Sequence, residues 1–101
     1  MSLPIRVTAE ADAQIREINR WWRSNRPSSP DLFVDELRAW FEISDLPEIG
    51  RAYLASPIPT TRRVLLRASR YHLYYVARAE DVVVLAVWHA QRGMGPDLQR
   101  L

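Results

Sequence analysis

The sequence predicts an α+β domain in which a helical hairpin packs on a small, mostly antiparallel sheet. Two segments with helical apolar periodicity fill the first half, and three segments rich in β-branched and aromatic residues fill the second. At 101 residues the chain has the length of one domain. We therefore predict the order β-α-α-β-β-β within a single domain over residues 1–101.

The first half opens with a short extended segment at residues 4–7, followed by a helix. Thr8 is suited to cap this helix, because its hydroxyl can accept a hydrogen bond from the first turn. The helix should end near Asn25, because Pro27 disfavours helical geometry at the residue before it. Its apolar stripe consists of Ala11, Ile15, Ile18 and Trp22.

A second helix is predicted after Ser29 and Pro30, which supply a cap and a proline at the first helical position. We expect this helix to end at Leu46 and Pro47. The link between the two helices is short, so they should form a hairpin. The second apolar stripe consists of Phe33, Val34, Leu37, Trp40 and Phe41.

The second half begins with a proline-rich stretch over residues 47–60, which predicts a loop with a short extended piece at Tyr53 and Leu54. The nearly continuous apolar run at residues 82–89 is typical of a central strand that is covered on both faces. The chain should end in a loop or a short frayed helix. The three predicted strands span residues 61–67, 71–78 and 82–89.

Composition limits the classes of function. The chain contains no cysteine and only two histidines, which argues against a disulfide framework or a zinc site, and we expect neither a metal nor a cofactor. No apolar run reaches the ~18 residues of a membrane span. The chain also starts without the basic-then-apolar order of a signal peptide. We expect a cytoplasmic protein with no membrane association.

Charge is distributed unevenly along the chain. Residues 1–50 contain six arginines and nine acidic residues, a net charge of −3, whereas residues 51–101 contain eight arginines and three acidic residues, a net charge of +5. All 14 basic residues are arginine. The second half is therefore the part of the chain suited to an anionic partner.

Arginines on the predicted strands form the main candidate site. Arg63 and Arg67 are expected to share one strand face, because side chains alternate along a strand, and Arg92 directly follows the last strand. With Tyr74, Tyr75 and His72 nearby, these arginines could bind phosphates and stack on bases. They could instead serve as solvated strand edges that discourage aggregation, which composition alone slightly favours.

An ordered set of segments runs through this half: RRVLLR at residues 62–67, YHLYY at 71–75, VVVLAVWH at 82–89, and Arg92-Gly93. With the preceding helical hairpin, this order resembles the RelE/ParE toxin superfamily over nearly the whole chain. The resemblance implies the toxin of a type II toxin–antitoxin module, also called a plasmid-stabilisation protein. It further implies an antitoxin, encoded beside the toxin, that wraps and silences it.

The family resemblance implies two possible mechanisms, cleavage of mRNA in the ribosome by RelE-like members and inhibition of DNA gyrase by ParE-like members. If the chain is a nuclease, its catalytic residues would be Arg63, His72 and Arg92. Leu65, however, stands where a second basic residue is often found, and His72 stands where an arginine is expected. The tail beyond Arg92 has no tyrosine. The pattern Val-x-His-x-x-Arg-Gly is more similar to ParE-like members, so we predict a gyrase inhibitor.

Two binding surfaces follow from the ParE-like interpretation. Arg63, Arg67 and Arg92 would contact gyrase. A ParD-like antitoxin would bind the helical hairpin, and the chain would form a hetero-oligomer with it. The alternatives are a ribosome-dependent mRNA endonuclease, or a degenerate member that binds its antitoxin without being toxic. The residues expected to contact the antitoxin are Trp21, Phe33, Leu37, Trp40 and Phe41.

Overall fold

The computed structural model describes residues 3–42, 50–93, 95–96 and 98. Its elements are β1 (Ile5–Val7), α1 (Ala9–Asn25), α2 (Leu32–Glu42), β2 (Arg51–Ala52), β3 (Thr61–Leu66), β4 (Tyr71–Ala77) and β5 (Val82–His89). The strands form one sheet in the order β1-β5-β4-β3-β2, in which only the β1–β5 pair is parallel. The predicted α+β class and element order are confirmed, and β2 is an addition.

Helix α1 lies where the sequence predicts it. The Thr8 hydroxyl accepts a hydrogen bond from the Ala11 N–H at 3.2 Å, and the helix ends at Asn25. Ala11 and Trp22 of its apolar stripe are buried, and the two isoleucines of the stripe pack against the same core. The helix is also tied to the sheet, because Gln14 Oε1 accepts a hydrogen bond from the β5 backbone at 2.8 Å.

Helix α2 begins at Leu32, later than the predicted start at Pro30, because residues 27–31 form turns. Its predicted end at Leu46 and Pro47 lies outside the described residues. In the described part of the chain, no helix is both long enough and apolar enough to cross a membrane. The two helices cover the inner face of the sheet, where they pack on residues of β3, β4 and β5; their buried side chains are Ala11, Trp22, Phe33, Leu37 and Trp40.

Strand β5 spans the predicted residues, and a bulge determines which of its side chains face the helices. The β4–β5 register shifts after Tyr74, so that Tyr74 pairs with Ala86 while Tyr75 pairs with Val84. Leu85 is therefore an extra residue, and it lies with Ala86 on the outer face, whereas Val84 faces the helices. The buried, two-sided environment predicted for this strand is confirmed.

The loop before β3 differs from the prediction. The extended piece expected at Tyr53 and Leu54 is wrong: the strand pairing with β3 is Arg51–Ala52, and Leu54 is 93% exposed. Arg62 of β3 anchors the start of this loop, because its Nη1 donates to the Gly50 carbonyl at 2.7 Å. On the outer face of the sheet, two residues from outside the strands, Ile58 of this loop and Leu98 of the tail, complete a second buried cluster.

Candidate functional site

A diagonal band of arginine and aromatic side chains crosses the outer face of the sheet. The strand registers place Arg63 beside Tyr74 and His72 beside Trp88. His72 and Tyr74 share a face because they are two residues apart on β4, and their ring centroids are 6.2 Å apart. Arg92 lies over Trp88. We call this set the outer band; its members are Tyr53, Arg63, His72, Tyr74, Trp88 and Arg92.

Arg63 anchors one end of the outer band. Its guanidinium carbon lies 5.2 Å from the Tyr53 ring centroid, and Tyr53 packs edge-to-face on Tyr74 at 4.9 Å. Burial raises the pKa of the Tyr74 hydroxyl, although a hydrogen bond from Arg63 opposes that shift. The tail passes close to this end: a Cβ on Gly95 would lie only 2.8 Å from the Tyr53 hydroxyl oxygen. The Arg63 guanidinium is therefore held by the Tyr53 ring and the Tyr74 hydroxyl while the residue remains exposed.

Arg92 forms the other end of the band. Its guanidinium carbon lies 4.2 Å from the Trp88 ring centroid, and the Trp88 indole N–H donates to the Arg92 carbonyl at 3.3 Å. The Arg92 N–H in turn donates to the His89 carbonyl at 3.1 Å. These contacts fold the chain back after β5 and position an exposed cation over Trp88. Sequence analysis assigns no role to Trp88. The sequence feature that could have indicated one is its position four residues before Arg92.

His72 lies between the two arginines and is half-buried. Burial, and secondarily the positive charge of Arg63, lowers the pKa of its imidazole below 6.5. The ring is therefore mainly neutral at pH 7. The sequences of β3, β4 and β5 contain no carboxylate that could pair with it. Among the described residues, no cluster of histidine and acidic side chains could hold a metal ion.

Arg67 does not join the outer band. Strand β3 ends at Leu66, so the alternation that predicted a shared face with Arg63 does not extend to Arg67, which lies exposed in the turn before β4. Glu36 of α2 holds this turn by accepting hydrogen bonds from the Ala68 N–H at 2.7 Å and the Ser69 N–H at 2.9 Å. The structure thus brings Arg63, His72 and Arg92 together but separates Arg67 from them.

Three of the five residues expected to contact an antitoxin are core residues. Phe33, Leu37 and Trp40 are only 0%, 5% and 7% exposed, since their helix face packs on the sheet. The expectation that these three offer a binding surface is corrected, because an apolar stripe indicates burial without indicating the covering element. Trp21, which is 45% exposed, and the half-buried Phe41 keep accessible surface.

Comparisons with known proteins bear on the family and the fold of the chain. A family model described as "ParE toxin of type II toxin-antitoxin system, parDE" matches residues 5–94. A solved structure from a chromosomal ParDE toxin–antitoxin system of P. aeruginosa has a similar fold, with a TM-score of 0.70, 13% identity, and coverage of 88% of this chain and 97% of that chain. The comparison with curated proteins gives no match. Because the family model spans most of the sequence, the chain belongs to the ParE toxin family of type II toxin–antitoxin systems.

Proposed function

We propose that this ParE-family toxin stops growth by binding DNA gyrase in the cytoplasm, and that a ParD-like antitoxin neutralises it. The observation that carries the proposal is the outer band, in which Arg63 and Arg92 are exposed cations held on aromatic rings. Arginine positioned in this way suits binding to a protein, because it forms charge-assisted hydrogen bonds with acidic groups and loses little hydration. Arginine and tryptophan are also the residues that most often dominate binding energy.

The same geometry favours binding over bond cleavage. General acid–base cleavage of RNA needs proton donors and acceptors within reach of the substrate. The Tyr74 hydroxyl is buried and its pKa is raised, so it stays protonated and covered. His72 is the imidazole of the outer band, and imidazole is the side-chain group that most often transfers protons near neutral pH. A surface with two fixed cations and one imidazole is better suited to binding a protein than to cleaving RNA by general acid–base catalysis.

The target is tested by gyrase supercoiling in vitro with the purified chain and its Arg92→Ala variant. We expect the wild type to inhibit supercoiling and the variant to inhibit it about tenfold more weakly, or about 1.4 kcal/mol, because arginine is enriched among the few interface residues whose truncation costs more than about 1 kcal/mol. Arg38→Ala is the matched control, since Arg38 is an equally charged, exposed side chain on α2. Equal losses in both variants, or none in either, would contradict the role of Arg92.

Ribosome-dependent mRNA cleavage is the alternative, and the position of His72 between two arginines is the observation that favours it. If the chain is a nuclease, His72→Ala should lower cleavage of mRNA on translating ribosomes by about 10²–10⁴-fold, the usual effect of losing a general acid or base. Cleavage abolished by this substitution, with supercoiling untouched, would overturn the gyrase proposal. If the wild-type chain neither inhibits supercoiling nor cleaves mRNA, the result would favour a degenerate member that only binds its antitoxin.

The antitoxin is tested separately from the target. The protein encoded by the neighbouring reading frame should raise the melting temperature of the purified chain, because a partner that binds only the folded state stabilises it. The partly exposed Trp21 is the feature that supports a protein partner on the helical side. An unchanged melting temperature at saturating concentrations of that protein would count against neutralisation by direct binding.

A further inference from the structure

A groove runs between α1 and the carboxyl end of β5, at the edge of the inner core and beside the outer band. It has two compartments that share Trp21, Tyr71 and His89 as walls. The larger compartment, of about 410 Å³, reaches the turn between β3 and β4 and is within the range of about 300–1,000 Å³ typical of ligand pockets. The smaller one, of about 200 Å³, extends to Trp88 and Arg92.

The walls of the groove are aromatic rings in fixed positions. Trp21 packs edge-to-face on the buried Trp22 with centroids 5.7 Å apart, and His89 packs in the same manner on Tyr71 at 5.1 Å. Trp21 nevertheless keeps 45% of its surface exposed. An exposed indole supported by a buried neighbour is a preorganised anchor point, since binding to it costs little side-chain entropy.

The charged groups around the groove are mainly cationic. Arg26 lies over the Trp21 ring, with its guanidinium carbon 5.6 Å from the centroid, and Arg70 and Arg92 also line the groove. The Arg70 backbone is fixed in the left-handed region with a φ of 69°, and its carbonyl accepts a hydrogen bond at 2.8 Å from the N–H of Ala90, the residue that follows β5. Glu17 is the one acidic side chain among the lining residues described.

We propose, on the basis of the proposed toxin function, that an acidic segment of the antitoxin with an aromatic or branched aliphatic anchor occupies this groove. The anchor would pack against Trp21 and Tyr71, and the acidic residues would pair with the arginines around it. A peptide fits better than a nucleic acid, because a peptide can place backbone N–H groups or an uncharged side chain beside Glu17, whereas every nucleotide carries a phosphate that Glu17 would repel.

Binding of the antitoxin segment in the groove would also explain how the antitoxin blocks the proposed gyrase-binding surface. Arg92 belongs to both regions, since it lines the groove and lies over Trp88 in the outer band. A carboxylate of the bound segment that pairs with Arg92 removes that cation from gyrase binding without covering Arg63. Occupation of the groove and binding of gyrase should therefore be competitive at this single residue.

The test uses the full chain with ¹⁵N-labelled tryptophan, which gives four indole N–H signals in one NMR spectrum. The probe is the peptide Ac-EDLFDE-NH2, and its charge-reversed control is Ac-KRLFRK-NH2. We expect the acidic peptide to shift the signals of Trp21 and Trp88 and to leave Trp40, which is buried at the inner core, unchanged. The basic peptide should shift none of them.

Variants localise the binding. Trp21→Ala and Arg92→Ala should each lower the affinity for the acidic peptide about tenfold, as expected when one well-packed or charge-paired contact is lost. Leu54→Ala is the matched control, because it also removes an exposed apolar side chain but lies in the loop before β3. Circular dichroism of each variant confirms that the fold is retained.

Several outcomes would overturn the proposal. The first two are equal binding of the acidic and basic peptides, and no binding of the acidic peptide. The third is displacement of the acidic peptide by a single-stranded thymidine decamer. The fourth is loss of peptide binding in Arg63→Ala but not in Trp21→Ala. Relief of gyrase inhibition by the acidic peptide would support the competition. If the chain binds this peptide as expected but does not inhibit gyrase, the result would contradict gyrase as the target. It would still support the groove as a binding site for an acidic peptide.

Discussion

Two adjacent tyrosines of β4 show how the two faces of the sheet differ. Both are buried, yet Tyr75 packs on Trp40 of α2 at 5.0 Å and its hydroxyl accepts a hydrogen bond from the Gly50 N–H at 2.9 Å. Tyr74 instead packs on Tyr53, whose ring also contacts the guanidinium of Arg63. On the inner face rings are covered by rings and helices, whereas on the outer face they support exposed cations.

This difference separates stability from the proposed activity. An apolar side chain enclosed by α2 and β4 contributes mainly to the free energy of folding. An arginine exposed above a ring contributes little to folding, and it remains available to a partner. We therefore expect substitutions on the inner face to lower stability, and substitutions of the outer band to leave stability near the wild-type level while weakening toxicity.

The largest effect should come from Phe33→Ala on the inner face. Phe33 is fully buried and packs on Tyr71 with centroids 5.1 Å apart, so its loss leaves a cavity between α2 and the sheet. We expect a loss of about 3–5 kcal/mol in the free energy of unfolding, measured by urea denaturation. Leu54→Ala should change it by less than about 0.5 kcal/mol, because Leu54 is exposed. Equal effects of the two substitutions would contradict the assignment of this face as the core.

Periodicity was sufficient to predict most of the elements, because it depends on which residues are buried. It identified β5 from its apolar run and α1 from Thr8 and the stripe that follows it. It could not predict the bulge at Leu85 or the two-residue strand Arg51–Ala52, since both depend on pairing with distant residues. The same limit explains the error over Phe33, whose burial the stripe predicts but whose covering element it does not specify.

The candidate site was predictable in part for the same reason. Arg63 and His72 lie on adjacent strands of the predicted order, so their proximity follows from alternation and pairing. The return of Arg92 over Trp88 depends on a turn after β5, and the exclusion of Arg67 depends on where β3 ends. Neither the turn after β5 nor the end of β3 at Leu66 can be predicted reliably from the local sequence.

A smaller effect is expected from Glu36→Ala, which tests how the inner side organises the turn before β4. The Glu36 carboxylate accepts two backbone hydrogen bonds from this turn and a third from the Ser69 hydroxyl at 2.6 Å. Charge-assisted bonds of this kind contribute about 1.5–3 kcal/mol, and we expect a loss near the lower end because the carboxylate is partly exposed. Thermal unfolding checks the loss, and Asp35→Ala, one residue earlier on the exposed side of α2, is the control.

Hydrogen exchange would sharpen the result for Glu36. The amides of Ala68 and Ser69 should lose protection in Glu36→Ala, since their acceptor is gone, while amides in the centre of β5 should change only with global stability. Unchanged protection of both turn amides would show that Glu36 does not hold the turn.

The outer band should also show a pH effect that depends on Arg63. The pKa of His72 is lowered in the folded chain, so the unfolded chain binds more protons as the pH falls below about 6.5. Stability should therefore decrease as the pH falls from about 6.5 towards the lower folded pKa, and His72→Gln should remove this part of the decrease. The free energy of unfolding measured from pH 8 to pH 5 checks the sign.

Arg63→Ala separates the two causes of that shift. Removing the nearby positive charge should raise the pKa of His72, as followed by NMR titration of its ring protons, but burial should still keep it below 6.5. Arg38→Ala, on the opposite side of the sheet, should leave the titration unchanged. A His72 pKa that does not respond to the loss of Arg63 would contradict the proximity of the two groups in the outer band.

The smallest effect on stability is expected from Arg92→Ala, although it should have a large effect on the proposed function. The exposed Arg92 guanidinium contributes its interaction with the Trp88 ring, which at such sites amounts to about 0.5–1 kcal/mol. The turn itself should persist, because the backbone of Arg92, and not its side chain, bonds to His89 and Trp88. Urea denaturation and growth inhibition after induced expression, measured on the same variant, test this contrast. A loss of stability comparable to that of Phe33→Ala would show that the outer band belongs to the structural core, and an unchanged toxicity would exclude Arg92 from the binding surface.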